Sequence, residues 1–270
     1  GDAVGAIAKA SARIDAVYVV PYMPHAPMEP LNALVDLRDD GGAHVLTGSQ
    51  FLGVDHQAVA KRLGCDQAKV TIENSFLGGG FGRRANPNSD FVLEALEVAL
   101  QKRDDASLPD AVRRAPVQTI WTREDDLRGG WYRPLWVNSI RVGLADGKIA
   151  GWHQTIVGQS IATGTAFEAM MVQKGIDGTS VEGAADMPHG IADLRVELHS
   201  PKQPVPVQWW RSVGHSNTAF AKESMLDECA ERLGRDPYEL RRELLADHPR
   251  LLRVLDLAAA KAGWRTPPPA

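Results

Sequence analysis

"FLGGGFGRR", residues 76–84, is the stretch on which the reading of this chain turns. Three adjacent glycines, a phenylalanine, a fourth glycine and two arginines follow "AKVTIENSF" (68–76), which reads as a strand. Three readings fit. Glycines supply positive φ at little steric cost, so a tight turn plugged by Phe81 would explain them. Gly80, Gly82 and Ala85 also match a G-x-G-x-x-A dinucleotide fingerprint, with Asp104 and Asp105 about 20 residues further on. That fingerprint needs the helix to open inside the glycines, and here Asn86, Pro87 and Asn88 delay it; no GK[ST] follows either. The third reading is a loop whose bare amides lie against a large anionic group, because successive N–H groups in such a turn form an anion-binding concavity. Arg83 and Arg84 would then supply counter-charge. The loop alone leaves the alternatives open.

Working outward, "SDFVLEALEVALQKR" (89–103) predicts a helix, with Phe91, Leu93, Ala95, Leu96, Ala99 and Leu100 on one broad apolar face. Upstream, "VDHQAVAKRLG" (54–64) predicts a helix ended by Gly64. "ALVDLRDDGGAHVLTGSQ" (33–50) reads strand, turn, strand, and "IDAVYVVPYM" (14–23) reads as a strand. "PHAPMEPLN" (24–32) holds three prolines, which exclude a helix. Downstream come a surface loop (104–116), a strand "VQTIWTRED" (117–125) and a hairpin over 137–160 turning at Asp146-Gly147. Residues 161–190 carry no clear period, and "LRVELHS" (194–200) is a strand. Helices are predicted at 216–234, 236–246 and 248–263, with Ser216 and Asp236 as N-caps and Gly234 as a C-cap. Met170 and Met171 are expected in apolar packing, and Trp209 and Trp210 in a core or interface. Strands and helices mix without a steady βαβ rhythm, so the fold class is α+β, with mixed sheets and packed helices.

The 270 residues carry a net charge of -4, which gives no global pull toward nucleic acid or an anionic membrane, and no apolar run reaches transmembrane length. Two cysteines, Cys65 and Cys229, are too few for an iron–sulfur cluster, which takes about four thiolates. They are expected as buried free thiols, with one disulfide as the alternative. The chain opens at Gly1 with no leader and closes on the Pro-rich "GWRTPPPA", which is read as a piece of a longer protein.

Four other segments accompany the loop: "PHAPMEPLNA" (24–33), "TGSQ" (47–50), "WTREDD" (121–126) and "WWRSVGHSNTAFAKESMLDECAERLGRDPYELRR" (209–242). In this order the five resemble the large subunit of the molybdenum hydroxylases, the xanthine dehydrogenase and aldehyde oxidase family. "HAPMEP", the paired arginines and "RSVGHS" point within it to the isoquinoline 1-oxidoreductase β-subunit type. The resemblance spans about residues 16–245. It implies a cofactor-binding domain of the aldehyde oxidase type over residues 1–246, followed by a C-terminal helix and tail over 247–270. It also implies a molybdenum–pterin cofactor, the cytosine dinucleotide form being one candidate. The activity implied is hydroxylation by water of an aldehyde or an N-heterocycle carbon, with two electrons released.

By the same resemblance, Gln50 hydrogen-bonds an oxo ligand of the metal; a neutral amide donor suits that task. Gly79, Gly80, Phe81 and Gly82 lie beside the metal, with the Phe81 ring where substrate enters. Arg211, followed by Gly214 at the mouth of the 216–234 helix, reaches the phosphate or pterin side of the cofactor. His25 and Glu29 are expected to shape the pocket wall, and His215 either to meet the cofactor or to turn the chain. The chain departs from the pattern in two places. Purine-oxidising members carry an acid where this chain has Ala85, which favours aldehydes or apolar heterocycles. The family's general base, a glutamate in a C-terminal segment, has no counterpart here, so no catalytic residue is assigned and the chain alone is expected to be inactive. Its expected partners are the remainder of the large subunit and a small iron–sulfur subunit that takes the electrons. A periplasmic location is expected from the subtype. A nucleotide-binding domain and a non-catalytic assembly domain are the competing readings.

Overall fold

The structure, a computed structural model, describes residues 1–264. Two four-stranded sheets organise them. In one, the order is Ala12–Val20, Trp136–Ala145, Lys148–Gly158, Leu194–His199. The first three strands are antiparallel and the last runs parallel to its neighbour. In the other, the order is Val70–Asn74, Ala43–Thr47, Asn32–Leu37, Val117–Ile120. There the first pair is parallel and the rest antiparallel. This is the α+β arrangement that the sequence predicts.

Each sheet buries one face under helices. The helix His215–Leu233 lays Ala221, Met225, Leu226 and Cys229 over Ile140, Val142 and Trp152. The helices Leu52–Leu63 and Asp90–Asp104 cover Val35 and Val45 with Val59, Ala60, Phe91, Ala95 and Leu96. Each large apolar side chain withdrawn from water in this way contributes roughly 1.5–3 kcal/mol. The hairpin turns at Asp146 and Gly147, whose φ of 52° and 72° match the twist of the flanking strands. Gly64 and Gly234 end their helices in the left-handed region. Asp236 caps the helix Pro237–Leu244 by accepting from the amides of Tyr238 and Glu239. Cys229 is buried and Cys65 half-buried, and both are free thiols.

Several expectations fail locally. The strand predicted over 117–125 stops at Ile120, because Thr122 and Asp125 form a reciprocal capping box that opens the helix Arg123–Gly129. A short helix, Asp110–Arg114, begins after Pro109 inside the expected loop. The helix Ala3–Lys9, capped by Asp2, was not foreseen. Ser216 does not cap: it lies inside the first turn, and Gly214 holds the cap position without a side chain to bond. Met170 is 66% exposed rather than packed. The Pro-rich tail lies outside the described residues. Among the described residues no helix is long and apolar enough to cross a membrane.

The second sheet explains how distant motifs meet. Ala43–Thr47 and Val70–Asn74 run parallel, with Thr47 opposite Asn74, so both strands leave the sheet at one edge. "TGSQ" follows the first and the glycine loop follows the second. Asn32 pairs with Ile120 at that same edge, which brings in "HAPMEP" before one strand and "WTREDD" after the other.

Candidate functional site

At this edge the "TGSQ" segment is pinned from several sides. The Ser49 amide donates to Asn74 Oδ1 at 2.8 Å, and the Ser49 hydroxyl donates to the buried Asp55 carboxylate. The Gln50 amide donates to the Arg84 carbonyl at 3.0 Å. Gln50 Oε1 accepts the Gly82 N–H at 3.2 Å. That bond assigns the oxygen inward and leaves Nε2, on an exposed side chain, as a donor with no acceptor among the described residues.

The glycine loop lies outside regular structure. Gly79, Phe81 and Gly82 have φ of 104°, 55° and 103°. Positive φ at Phe81 is unusual for a bulky side chain and is sustained by the three glycines around it. A Cβ on Gly80 would overlap Gln50 Oε1, and one on Gly82 would overlap the Trp209 carbonyl. Side chains are absent there because the neighbouring wall has taken their space. The amides of Gly79, Gly80 and Phe81 have no protein acceptor among the described residues, and the Phe81 ring is 38% exposed.

The two arginines after the loop correct an expectation. Arg83 and Arg84 are both 1% exposed, so neither offers counter-charge to an outside ligand. Arg83 makes a bidentate pair with Asp90 (2.7 and 3.2 Å) and stacks on the Trp121 ring at 5.4 Å. Arg84 donates to the carbonyls of Gly79 (2.9 Å), Gly48 (3.1 Å), Glu29 (3.1 Å) and Pro30 (3.4 Å), and to Glu29 Oε2 (3.1 Å). Burial lowers the Arg84 pKa, and the Glu29 carboxylate opposes that shift. Glu29 in turn accepts from Asn32 and from the Gly78 amide at 2.7 Å. These hydrogen bonds, the Asn32 bond foremost, hold its own pKa below the usual carboxylate range.

Arg211 stands across the loop. The Arg211 amide donates to the Phe81 carbonyl at 2.8 Å, and its guanidinium lies 5.8 Å from the Phe81 ring centre. That side chain is exposed and makes no hydrogen bond or ion pair among the described residues. The turn carrying it is tense: Ser212 and Val213 have φ of 80° and 44°, and the second is β-branched. Gly214 does not join the group. Its amide donates to Glu182 at 3.1 Å, and a Cβ there would overlap the Thr179 carbonyl, so it serves packing. His215 is exposed, 3.9 Å from Glu182.

Behind the loop, His25 is buried with its ring nitrogens 2.5 Å from the Trp209 carbonyl and 3.2 Å from that of Trp131. Burial lowers its pKa, against the pull of those carbonyls. His25 and Glu29 therefore act on the backbone behind the wall. Gln208, which sequence reasoning missed, binds the carbonyls of Gly82 (3.0 Å) and Arg83 (2.9 Å) and accepts from Asn86 at 2.6 Å. A lone polar residue inside "PVPVQWW" was the available signal. Phe51, Phe167 and Trp209 form an edge-to-face series next to Gln50, at 5.6 and 6.1 Å. Ala85 is buried beneath the loop. The helix after the loop begins only at Asp90, beyond the turn at Pro87 and Asn88, so it does not open inside the glycines as a dinucleotide site requires.

One wall thus gathers Gln50 Nε2, three free amides, an exposed ring and an unpaired guanidinium. It is a wall of donors and positive charge, which defines a binding domain for an anionic, oxygen-rich cofactor. The family model described as "Molybdopterin cofactor-binding domain" matches residues 1–245, and the chain belongs to that family. It is 29% identical over 245 residues to the β-subunit of isoquinoline 1-oxidoreductase of Brevundimonas diminuta, covering 89% of this chain and 29% of that protein. It is 30% identical over 274 residues to a nicotinate dehydrogenase subunit of Pseudomonas putida, covering 98% of this chain and 21% of that one. The fold matches the crystal structure of quinoline 2-oxidoreductase from Pseudomonas putida 86 with a TM-score of 0.75 at 19% identity, over 98% of this chain and 34% of that chain. The chain therefore spans less than a third of the length of these curated relatives. The residues present fit the cofactor: the cradle has no room for side chains, and its donors lack protein acceptors.

Proposed function

We propose that this chain forms one wall of the cofactor site in a molybdenum hydroxylase that oxidises an aldehyde or an N-heterocyclic aromatic at carbon. The carrying observation is the convergence of Gln50, the Gly79–Gly82 loop and Arg211, which lie up to 161 positions apart in sequence, on one surface. When bound, the molybdenum centre supplies two-electron oxidation with water as the oxygen source. The chain's own residues hold and orient. The amides of Gly79, Gly80 and Phe81 donate to the cofactor. Gln50, fixed through Gly82, presents Nε2 to the metal side. Arg211 pairs with a phosphate; this suits the cytosine dinucleotide form, which carries more than one. The Phe81 ring borders the space where substrate stands. The buried Ala85 offers no carboxylate to grip a purine, which favours aldehydes and apolar heterocycles. Proton removal falls to a base outside this chain, and the electrons pass to an iron–sulfur partner protein.

Support comes from the family membership and from relatives whose names specify isoquinoline and nicotinate. The test is dye reduction by the molybdenum-loaded full-length protein with aldehydes and N-heterocycles. Turnover with at least one class is expected, and none by this chain alone. Inactivity of the loaded protein toward both classes, or turnover by the isolated chain, would sink the proposal.

A further inference from the structure

We propose that Arg84 is a positioning residue whose buried guanidinium, by capturing carbonyls, turns the amides of the glycine loop outward. In a planar trans peptide the C=O and the next N–H point in opposite directions. The three carbonyls of the glycine run are all taken up inside the protein. Gly78 O accepts the Glu29 amide at 3.1 Å, Gly79 O accepts Arg84 Nε–H at 2.9 Å, and Gly80 O accepts the Arg83 amide at 2.8 Å. Each capture sends the following N–H the other way. Those are the amides of Gly79, Gly80 and Phe81, the three without an acceptor among the described residues.

Of the three captures, the Gly79 one alone is made by a side chain, and that side chain does more. Arg84 also binds Gly48 O beside Gln50, and Glu29 O and Pro30 O in "HAPMEP"; its own carbonyl accepts the Gln50 amide. One planar fork thus sets three motifs relative to one another. Lysine could not replace it, because a single ammonium cannot reach carbonyls spread around a guanidinium's edge. A Glu29–Arg84 ion pair at 3.1 Å accompanies this, but Glu29 is 36% exposed, so carbonyl capture is the tighter constraint.

That the outward face meets the cofactor rests on the function proposed above; the capture itself does not. The test is hydrogen exchange on the full-length protein carrying Arg84→Lys or Glu29→Gln. In Arg84→Lys the amides of Gln50, Gly78 and Gly82 should lose protection by at least about tenfold, as for the loss of a charge-assisted hydrogen bond. The helix Asp90–Asp104 should keep its protection, and molybdenum content should fall several-fold. Glu29→Gln retains an acceptor for Gly78 and the four carbonyl contacts of Arg84, so its loop protection should stay near wild type. Wild-type protection and molybdenum content in Arg84→Lys would overturn the assignment. So would a loss in Glu29→Gln that exposes the whole loop, and this second variant decides the matter if Arg84→Lys does not fold. A wild-type protein that never carries the cofactor would instead sink the functional reading and leave the exchange result standing.

Discussion

The glycine loop and the 209–214 turn face each other across the candidate site, and they use arginine in opposite ways. In the loop, Arg83 and Arg84 are buried, held by hydrogen bonds to the protein and structural. In the turn, Arg211 is exposed and unpaired among the described residues, resting only on the Phe81 ring. The loop places glycine at two of its three positive-φ positions and strains only Phe81; the turn accepts strain at two consecutive non-glycine residues, Ser212 and Val213. One side is a stiff mould and the other holds a charge in reserve. Residues of one type around one site can thus differ entirely in role, and burial with hydrogen bonding to the protein is what separates them.

The comparison can be broken most sharply at Arg84. Arg84→Met removes the donor shared by Gly79, Gly48, Glu29 and Pro30 and takes the side-chain donor from the carbonyls of Gly79, Gly48 and Glu29, while that of Pro30 keeps Asn32. A loss of about 3–5 kcal/mol is expected, the range for breaking a buried pair, seen as a fall in Tm of roughly 6–15 °C. An unchanged Tm would place Arg84 with Arg211. Gly82→Ala should cost about 1–3 kcal/mol in chemical denaturation, because it combines φ of 103° with overlap on the Trp209 carbonyl. Arg211→Ala should leave Tm unchanged to within about 0.5 kcal/mol of stability. In the loaded protein it should weaken cofactor retention by about 1.5–3 kcal/mol, read as molybdenum per chain. Gln50→Ala should keep the cofactor and slow turnover by about 100-fold, as when one oriented donor is removed.

The smallest effect is a pH dependence. The Glu29 carboxyl lies below its ordinary value in the fold, so its contribution is complete above an unfolded pKa of about 4.3 and is lost as pH falls through the folded value. Acid unfolding followed by fluorescence should therefore show a steeper loss in wild type than in Glu29→Gln. Superimposable profiles would remove Glu29 from the mould.

Much of this was legible in sequence. The apolar face of Phe91, Ala95 and Leu96 announced its helix, Asp146-Gly147 announced its hairpin, and five motifs in order gave the family. The direction of Arg83 and Arg84 was not legible. Arginines are rarely buried, and only the packed fold supplies the carbonyls and the Asp90 carboxylate that make burial affordable. Gly214 misled for a related reason: its amide is claimed by Glu182, 32 positions away. The capping box at Thr122 and Asp125 was present in the sequence, but it lay at the end of a strand-like run that masked it.

The most direct measurement is the position of the molybdenum atom in the loaded full-length protein, located by anomalous scattering. The account predicts it on the face formed by Gln50 and the amides of Gly79, Gly80 and Phe81, with a cofactor phosphate at Arg211. A metal bound on any other face of this domain, with Arg211 still free, would contradict it.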